Sequence, residues 1–127
     1  MELSVDKQNR ALFGNDDFIQ SIVRKKIRHL SSGELRYLEI KIVLFNPSKF
    51  VLMDEPHNGL SPLMIDRVNE MIKINSVKKG IIITDHNFEN VIKISSQIIL
   101  IKEGKTHYIR NNAELVEKGY LVDLGIL

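Results

Sequence analysis

A candidate phosphate site lies at Leu30-Ser31-Ser32-Gly33-Glu34. Backbone N–H groups in the first turn of a helix have no partner within the helix, and the helix dipole places partial positive charge there. Glycine costs a helix about 1 kcal/mol relative to alanine, and its use at Gly33 would be to let a phosphate approach the backbone closely. The same residues also fit a capping box, with Ser31 as N-cap and Glu34 at the third helical position. Both interpretations stay open for this stretch taken alone.

Two adjacent carboxylates, Asp54 and Glu55, follow the apolar run Phe50–Met53. A short continuous apolar run predicts a strand that is buried on both faces of a parallel sheet. Ligands of α/β proteins bind beyond the carboxyl ends of such strands. There, Asp54 would hold Mg²⁺ through water, and Glu55 would orient or deprotonate an attacking water molecule. The alternative is a pair of acids that merely begins a loop.

A histidine, His86, follows the second predicted buried strand, Ile81–Thr84, and is therefore expected at the same edge of the sheet. A single histidine after an apolar strand is more often structural than catalytic. The other histidines have no spacing typical of a metal site; they are His29, His57 and His107.

The composition is that of a globular protein, with 127 residues of which 43% are hydrophobic and 27% charged. The formal net charge of +2 does not by itself suggest nucleic acid, and the basic run 24–29 is expected to be a solvated helix end. The absence of cysteine excludes disulfides and thiolate metal sites. The apolar runs are far shorter than a bilayer requires and the N-terminus does not have the pattern of a signal peptide, so we expect no direct membrane insertion.

Apolar periodicity and turn residues predict helices that alternate with strands, which favours a largely parallel α/β sheet. The N-cap of the first helix would be Asn15 or Asp16, and that of the third would be Ser61, with Pro62 following. We expect a helix after Asn87, a hairpin of 97–102 and 105–110, and a last helix from Asn112 to Gly119. The predicted inward positions are Phe18, Ile19, Ile22, Val23 and Ile27 in the first helix, Leu35, Leu38, Ile42 and Phe45 in the second, Met64, Val68, Met71 and Ile72 in the third, and Phe88, Val91 and Ile92 in the fourth.

In combination, the order and spacing of these segments resemble the ATP-binding cassette (ABC) ATPases. The order Thr84-Asp85-His86-Asn87, and Glu34 in place of the commoner glutamine, are most similar to the ATPases of lipopolysaccharide export and branched-chain amino-acid import. The resemblance covers roughly residues 27–110. Leu30–Glu34 resembles the signature motif, Phe50–Glu55 resembles Walker B, Pro56–Pro62 resembles the D-loop region, and His86 resembles the switch histidine.

The resemblance implies a fold and a division into parts. The fold would be α/β of the P-loop NTPase type, with a mostly parallel sheet and flanking helices, and incomplete because the phosphate-loop half is absent. Residues 1–29 would be a remnant of the helical subdomain, residues 30–110 the C-terminal half of the ATPase core, and residues 111–127 a C-terminal helix with an apolar tail.

The resemblance also implies ligands and partners. In this family two ATPase chains meet head to tail, and each signature helix caps ATP held by the other chain's phosphate loop. A full-length parent would bind ATP and Mg²⁺, pair with a second ATPase chain and a membrane permease, and lie in the cytoplasm at the inner membrane; no nucleic acid is implied. The implied catalytic residues are Glu55 and His86, the metal ligand through water is Asp54, and the nucleotide-contacting residues are Ser31, Ser32, Gly33, Glu34 and Ser61.

The sequence departs from the family pattern at several positions. Ser32 replaces a usual glycine of the signature, and Ser61 replaces the aspartate of the D-loop, which keeps a helix cap but loses a charge. The sequence contains no G-x-x-x-x-G-K-[ST] phosphate loop, and so lacks its lysine and its nest of N–H groups. It also lacks the adenine-stacking aromatic residue and the glutamine loop. We therefore expect no ATP hydrolysis by this chain alone.

Three functions are compatible with this pattern. The chain would be the C-terminal half of a transporter ATPase, or a non-catalytic module or decayed paralogue that docks onto an intact ABC ATPase. A non-transport ABC-like ATPase of DNA repair or translation is disfavoured by Thr84-Asp85-His86-Asn87 and by the lack of coiled-coil heptads.

The missing phosphate-loop strand leads to an expectation for the isolated chain. In the family that strand lies beside Ile81–Thr84, so its absence leaves an apolar edge, and such edges recruit other strands. The apolar tail Tyr120–Leu127 adds further uncovered surface. We expect either that the hairpin pairs with Ile81–Thr84 or that two copies associate, with self-association favoured.

Overall fold

A computed structural model describes residues 13–120, which divide after Asn87 into two compact units. The N-terminal unit contains the two parallel strands, and the C-terminal unit contains a hairpin. The elements are α1 (Asp17–Ile22), a 3₁₀ turn (Ile27–His29), α2 (Ser32–Phe45), β1 (Phe50–Asp54), α3 (Pro62–Ser76), β2 (Gly80–Thr84), α4 (Phe88–Ile94), β3 (Ile98–Lys102), β4 (Lys105–Ile109) and α5 (Asn112–Glu117).

The parallel pairing of β1 with β2 positions the candidate site. The register runs from Phe50 opposite Gly80 to Asp54 opposite Thr84, so both strands end at the same edge. The predicted parallel arrangement of these strands is therefore confirmed, and the fold is mixed α/β with a short parallel sheet.

The outer face of this sheet is more exposed to solvent than the sequence predicts. The predicted burial on both faces is wrong for β1, because Phe50 and Leu52 are 75% and 74% exposed whereas Val51 and Met53 are buried. Ile82, opposite Leu52 on β2, is 62% exposed. Within residues 13–120 only one face of the two-stranded sheet is covered, so the apolar run alternates between core and solvent.

Helix α2 begins and ends as the sequence predicts, at Ser31 and Asn46, but it buries another face. The predicted inward position Ile42 is exposed, and Leu35, Leu38 and Phe45 are only half-buried. The physical reason is that two polar residues of α2 face inward, where they contact a buried carboxylate on a neighbouring segment. The buried residues of α2 are Tyr37, Ile40, Lys41 and Leu44.

That carboxylate belongs to Asp16, which is the N-cap of α1 and one of the two residues predicted for that position. Its Oδ1 accepts hydrogen bonds from the N–H groups of Phe18 at 3.0 Å and Ile19 at 3.1 Å. Its Oδ2 accepts from the Tyr37 hydroxyl at 2.8 Å and from the Lys41 ammonium. Burial by itself would raise the pKa of Asp16, but the hydrogen bonds from Lys41, Ile19 and Tyr37 outweigh it, and the pKa lies below its ordinary value.

The first helix is shorter than predicted, because the chain leaves the helix after Ile22. Ile19 and Ile22 are buried as expected, whereas Val23 and Ile27 are 60% and 70% exposed. In α3 the predicted cap Ser61 and first residue Pro62 are confirmed. Its predicted inward residues Val68, Met71 and Ile72 are buried, and Met64 is half-buried.

The C-terminal unit contains the predicted hairpin and last helix. β3 and β4 pair antiparallel across Glu103 and Gly104, whose φ angles of 51° and 71° suit a tight two-residue turn. Asn111 caps α5, and Gly119 follows it at φ 71°. The hairpin is a sheet of its own, so its pairing with Ile81–Thr84 is not the arrangement found. Self-association and the division at residues 29 and 110 stay predictions, and the tail after Tyr120 lies outside the described residues.

None of the helices within residues 13–120 has the length and apolar character that crossing a membrane requires.

The buried ion pair leads to a stability prediction. Asp16→Asn leaves the buried Lys41 without its counter-charge, so we expect a loss of roughly 3–5 kcal/mol in the free energy of unfolding at pH 7. The folded-state pKa of Asp16 is depressed, so its contribution is present above the unfolded value of 3.8 and is lost as the pH falls through the folded value. Urea unfolding at pH 7 and at pH 3 measures both effects.

The matched control is Asp66→Asn, which makes the same change at an exposed residue of α3. It should change the free energy of unfolding by less than about 0.5 kcal/mol. Equal effects of the two substitutions at pH 7 would contradict the role given to Asp16.

Candidate functional site

The predicted acid Glu55 lies directly after β1, where the chain turns sharply. Its φ angle is 48°, in the left-handed region that residues other than glycine seldom adopt. Its N–H donates to the carbonyl oxygen of Thr84, the last residue of β2, at 2.7 Å, which extends the β1–β2 ladder one residue beyond the end of β1. Such a backbone conformation costs on the order of 1–3 kcal/mol and persists where neighbouring contacts hold it.

Glu55 and His86 meet at this edge of the sheet. The His86 Nε2 atom lies 2.6 Å from Glu55 Oε1, with side-chain exposures of 89% for the histidine and 35% for the glutamate. The two residues predicted as catalytic are thus brought together on the solvent side of the strand ends. A carboxylate in contact with an exposed imidazole is held in place yet remains accessible to a water molecule.

Asp54, the predicted metal ligand, is the last residue of β1, and its Oδ1 accepts a hydrogen bond from the Thr84 hydroxyl. These oxygen donors fit Mg²⁺, which proteins bind through one or two carboxylates together with waters and substrate phosphates. Among residues 13–120 no group of three or more His, Cys, Asp or Glu side chains is arranged to hold a metal ion. The role of Asp54 as a metal ligand stays a prediction.

The start of α2 forms the predicted capping box. Ser31 Oγ accepts from the Glu34 N–H at 3.1 Å, and Glu34 Oε2 accepts from the Ser31 N–H at 2.9 Å. The Lys25 ammonium lies 2.7 Å from the other carboxylate oxygen of Glu34, and these hydrogen bonds lower the pKa of Glu34. Ser32 is the exposed first residue of the helix. Ser31 and Glu34 are therefore occupied in shaping the helix start, and a role of this turn with phosphate stays a prediction.

Gly33 has a second role that the sequence does not reveal. A Cβ atom at this position would lie 3.2 Å from the carbonyl oxygen of Gly59 and 3.6 Å from Met64 Sδ. The loop after β1 thus packs directly against the backbone of the helix start. Gly59 has a φ of 77°, which glycine adopts without strain. A Cβ at position 33 would need the Gly59 carbonyl to shift by a few tenths of an ångström, so glycine favours this close packing.

Ser61, the residue in place of the D-loop aspartate, is the N-cap of α3. Its Oγ accepts from the Met64 N–H at 3.4 Å, and Ser61 is exposed. The geometry supports the predicted capping role.

His57 is the site residue that sequence reasoning missed. It lies two residues after Glu55, is 4% exposed, and is hydrogen-bonded through Nδ1 to Asp85 and through Nε2 to Asn69. No periodic pattern marks a histidine in a loop as buried. The available signal was its place in the loop after β1, two residues after Glu55.

The predicted site residues form two clusters in the N-terminal unit. The first contains Asp54, Glu55 and His86 at the strand ends, and the second contains the start of α2 packed on Gly59. The part of the chain that the structure describes has no hydrogen bond or ion pair that joins the two clusters directly. Ser61 lies at the start of α3.

Comparison with known proteins gives three groups of findings. No protein-family model matches the chain. It is 30% identical over 109 residues to ABC transporter A family member 11 of Dictyostelium discoideum, covering 84% of this chain and 13% of that protein. It is 30% identical over 89 residues to the lipopolysaccharide export system ATP-binding protein LptB of Acidithiobacillus ferridurans, covering 69% of this chain and 37% of that protein.

A third relative is the probable branched-chain amino acid transport ATP-binding protein LivG of Archaeoglobus fulgidus, 29% identical over 97 residues, with 71% of this chain and 38% of that protein covered. The chain thus spans between 13% and 38% of the length of these relatives. Among solved structures, a chain from a study of ATP-driven dimerization and DNA-stimulated activation of SMC ATPases matches with a TM-score of 0.57 at 23% identity. That match covers 74% of this chain and 62% of the other, and it shows the fold alone.

The capping box leads to a second prediction. Ser31→Ala removes the acceptor for the Glu34 N–H, so we expect a loss of about 1 kcal/mol in the free energy of unfolding. Ser32→Ala is the matched control, because it makes the same change at the next residue, an exposed serine of the first helical turn. Thermal unfolding followed by circular dichroism compares them, and equal losses would contradict the assignment of Ser31 as the cap.

Proposed function

We infer from its distant homology with the ATP-binding proteins of ABC transporters, which extends over most of the chain, that this protein carries the signature and Walker B part of such an ATPase. The observation that supports this most strongly is the meeting of Glu55 and His86, 2.6 Å apart, beyond the ends of two parallel strands. In a full-length parent these residues would act on ATP, and the free energy of hydrolysis would drive transport.

The proposed roles follow from the placement of each group. Glu55 orients and polarises the attacking water, and His86 holds the Glu55 carboxylate and faces the terminal phosphate. Asp54 holds Mg²⁺ through water, and the metal when bound neutralises phosphate charge. The α2 N-terminus at Ser32 and Gly33 receives the phosphates of a nucleotide held by another chain.

The proposed partners have matching chemistry. In the proposed assembly a triphosphate is held by the phosphate loop of the opposing chain, as in the head-to-tail pair of ATPase chains. A membrane permease would anchor the assembly at the cytoplasmic side of a membrane. Ser61 in place of an aspartate removes a negative charge from the surface that would face the partner chain.

A third prediction concerns the isolated chain. We expect the purified 127-residue protein to show no ATP turnover, because the lysine and N–H groups that hold the β- and γ-phosphates are absent from its sequence. A phosphate-release assay at micromolar protein measures this. Steady turnover that Glu55→Gln abolishes would contradict it.

A fourth prediction tests the roles in a chimera, in which this chain's residues 27–110 replace the matching part of the Acidithiobacillus LptB protein. Glu55→Gln should lower the ATPase rate by about 10²–10⁴-fold, as expected for a positioned base. Glu70→Gln, at an exposed residue of α3, is the matched control and should leave the rate unchanged.

In the same chimera, Gly33→Asp should leave nucleotide binding intact but abolish turnover, because the carboxylate repels the phosphate of the opposing site. Gly33→Ala adds a Cβ that crowds Gly59 but adds no charge, so it should retain more activity than Gly33→Asp. Equal rates for these two variants, or an unchanged rate for Glu55→Gln, would refute the proposed roles. The chimera could instead be active only when it is mixed with intact LptB, with a rate that Glu55→Gln does not change. That result would indicate a non-catalytic docking module.

A further inference from the structure

A buried imidazole joins three segments of the N-terminal unit beside the proposed catalytic pair. His57, in the loop after β1, has its Nδ1 atom 2.7 Å from Asp85 Oδ2, and Asp85 follows β2. Its Nε2 atom lies 2.7 Å from Asn69 Oδ1 on α3. The side chains of His57 and Asp85 are 2% and 7% exposed, so water competes little for either hydrogen bond.

The chemistry of the three groups makes this bridge stable. Opposite a carboxylate, Nδ1 carries the proton and donates to Asp85. Asn69 presents its Oδ1 to Nε2, and because a side-chain amide has both an acceptor oxygen and N–H donors, rotation of the amide lets it pair with Nε2 whether that nitrogen is protonated or not. The second oxygen of Asp85 accepts from the Asn87 N–H at 2.8 Å, which fixes the carboxylate as well. No fully buried side-chain polar atom among the described residues lacks a partner.

The bridge lies where the backbone ladder ends. A ladder hydrogen bond runs from the Glu55 N–H to the Thr84 carbonyl, at the point where the two loops begin. His57 and Asp85 then join the loops once more, two residues after Glu55 and one residue before His86. Glu55 is strained, with a φ of 48°, so its position depends on contacts of this kind.

We propose that His57 is a positioning residue, whose bond to Asp85 holds the loops after β1 and β2 so that Glu55 and His86 meet. The proposal rests on the proposed function for the use of that pair in catalysis, but the geometric claim concerns this chain alone. The competing role is that of an ordinary core histidine, whose loss would weaken the whole unit evenly.

Amide hydrogen exchange of the 127-residue protein, followed by NMR without nucleotide, separates the two roles. His57→Leu removes both hydrogen bonds while keeping an apolar side chain in the space. We expect exchange of the Glu55 amide to become on the order of ten- to a hundredfold faster, as for loss of a buried hydrogen bond to a charged group. The amides of Ile40 in α2 and Leu100 in β3 should keep their rates.

A spectroscopic readout reports on the pair itself. When His57 is present, Glu55→Gln should shift the ring nitrogen resonances of His86, because the side chains of residues 55 and 86 are in contact. In the His57→Leu background the same change should leave them nearly unmoved. His57→Asn, which keeps a donor near the place of Nδ1, should restore most of the Glu55 protection, and His29→Leu at an exposed histidine is the control.

Equal acceleration at Glu55 and Ile40, or an unchanged Glu55 rate, would overturn the proposal. If His57→Leu does not fold, the ring Nδ1–H of His57 in the unsubstituted chain decides, because the proposal requires a resonance protected from exchange with water, and its absence would overturn it. These measurements involve no nucleotide, so their failure leaves the chimera result standing, and failure of the chimera leaves them standing.

Discussion

The parallel register of β1 and β2 is the constraint on which the candidate site depends. Because the side chains of a strand alternate between faces, a shift of one residue would move every side chain of one strand relative to the other. With Asp54 opposite Thr84, the residues that follow the strands, Glu55 and His86, leave the sheet at the same edge. The Glu55 amide hydrogen bond to Thr84 holds this register at the end where the chemistry would occur.

Polar contacts, rather than the apolar stripes alone, determine how the helices of the N-terminal unit lie. Asp16 accepts hydrogen bonds from Tyr37 and Lys41 of α2, and Arg67 of α3 pairs with the neighbouring Asp17 at 2.6 Å. Lys79 donates to the carbonyl oxygens of Leu44 and Asn46 at 2.5 and 2.7 Å, at the end of α2. Such bonds are directional, so they select one rotation of α2 where several apolar stripes would pack about equally well.

These contacts explain what the sequence could predict and what it could not. Caps and strand ends depend on neighbours in the chain, so Ser31, Ser61 and the junction after Asp54 were predictable from local patterns. The inward face of α2 was not, because it depends on Asp16, a residue far away in sequence, and a lysine at position 41 reads as exposed. His57 was missed for the same reason, since both of its partners are distant in the chain. The apolar run of β1 correctly indicated a strand, but its burial depends on what covers the sheet.

The contact between Gly33 and Gly59 links the two clusters of the site mechanically. A Cβ at position 33 would displace the Gly59 carbonyl by a few tenths of an ångström, so the start of α2 and the loop after β1 are closely packed and a movement of one is expected to affect the other. The same loop contains His57, whose hydrogen bond to Asp85 extends to the segment that carries His86. A ligand that presses on the first turn of α2 would therefore act on the loop between Glu55 and Ser61. In this chain the features proposed to sense the opposing nucleotide and to position the water share one short, tightly packed segment of backbone.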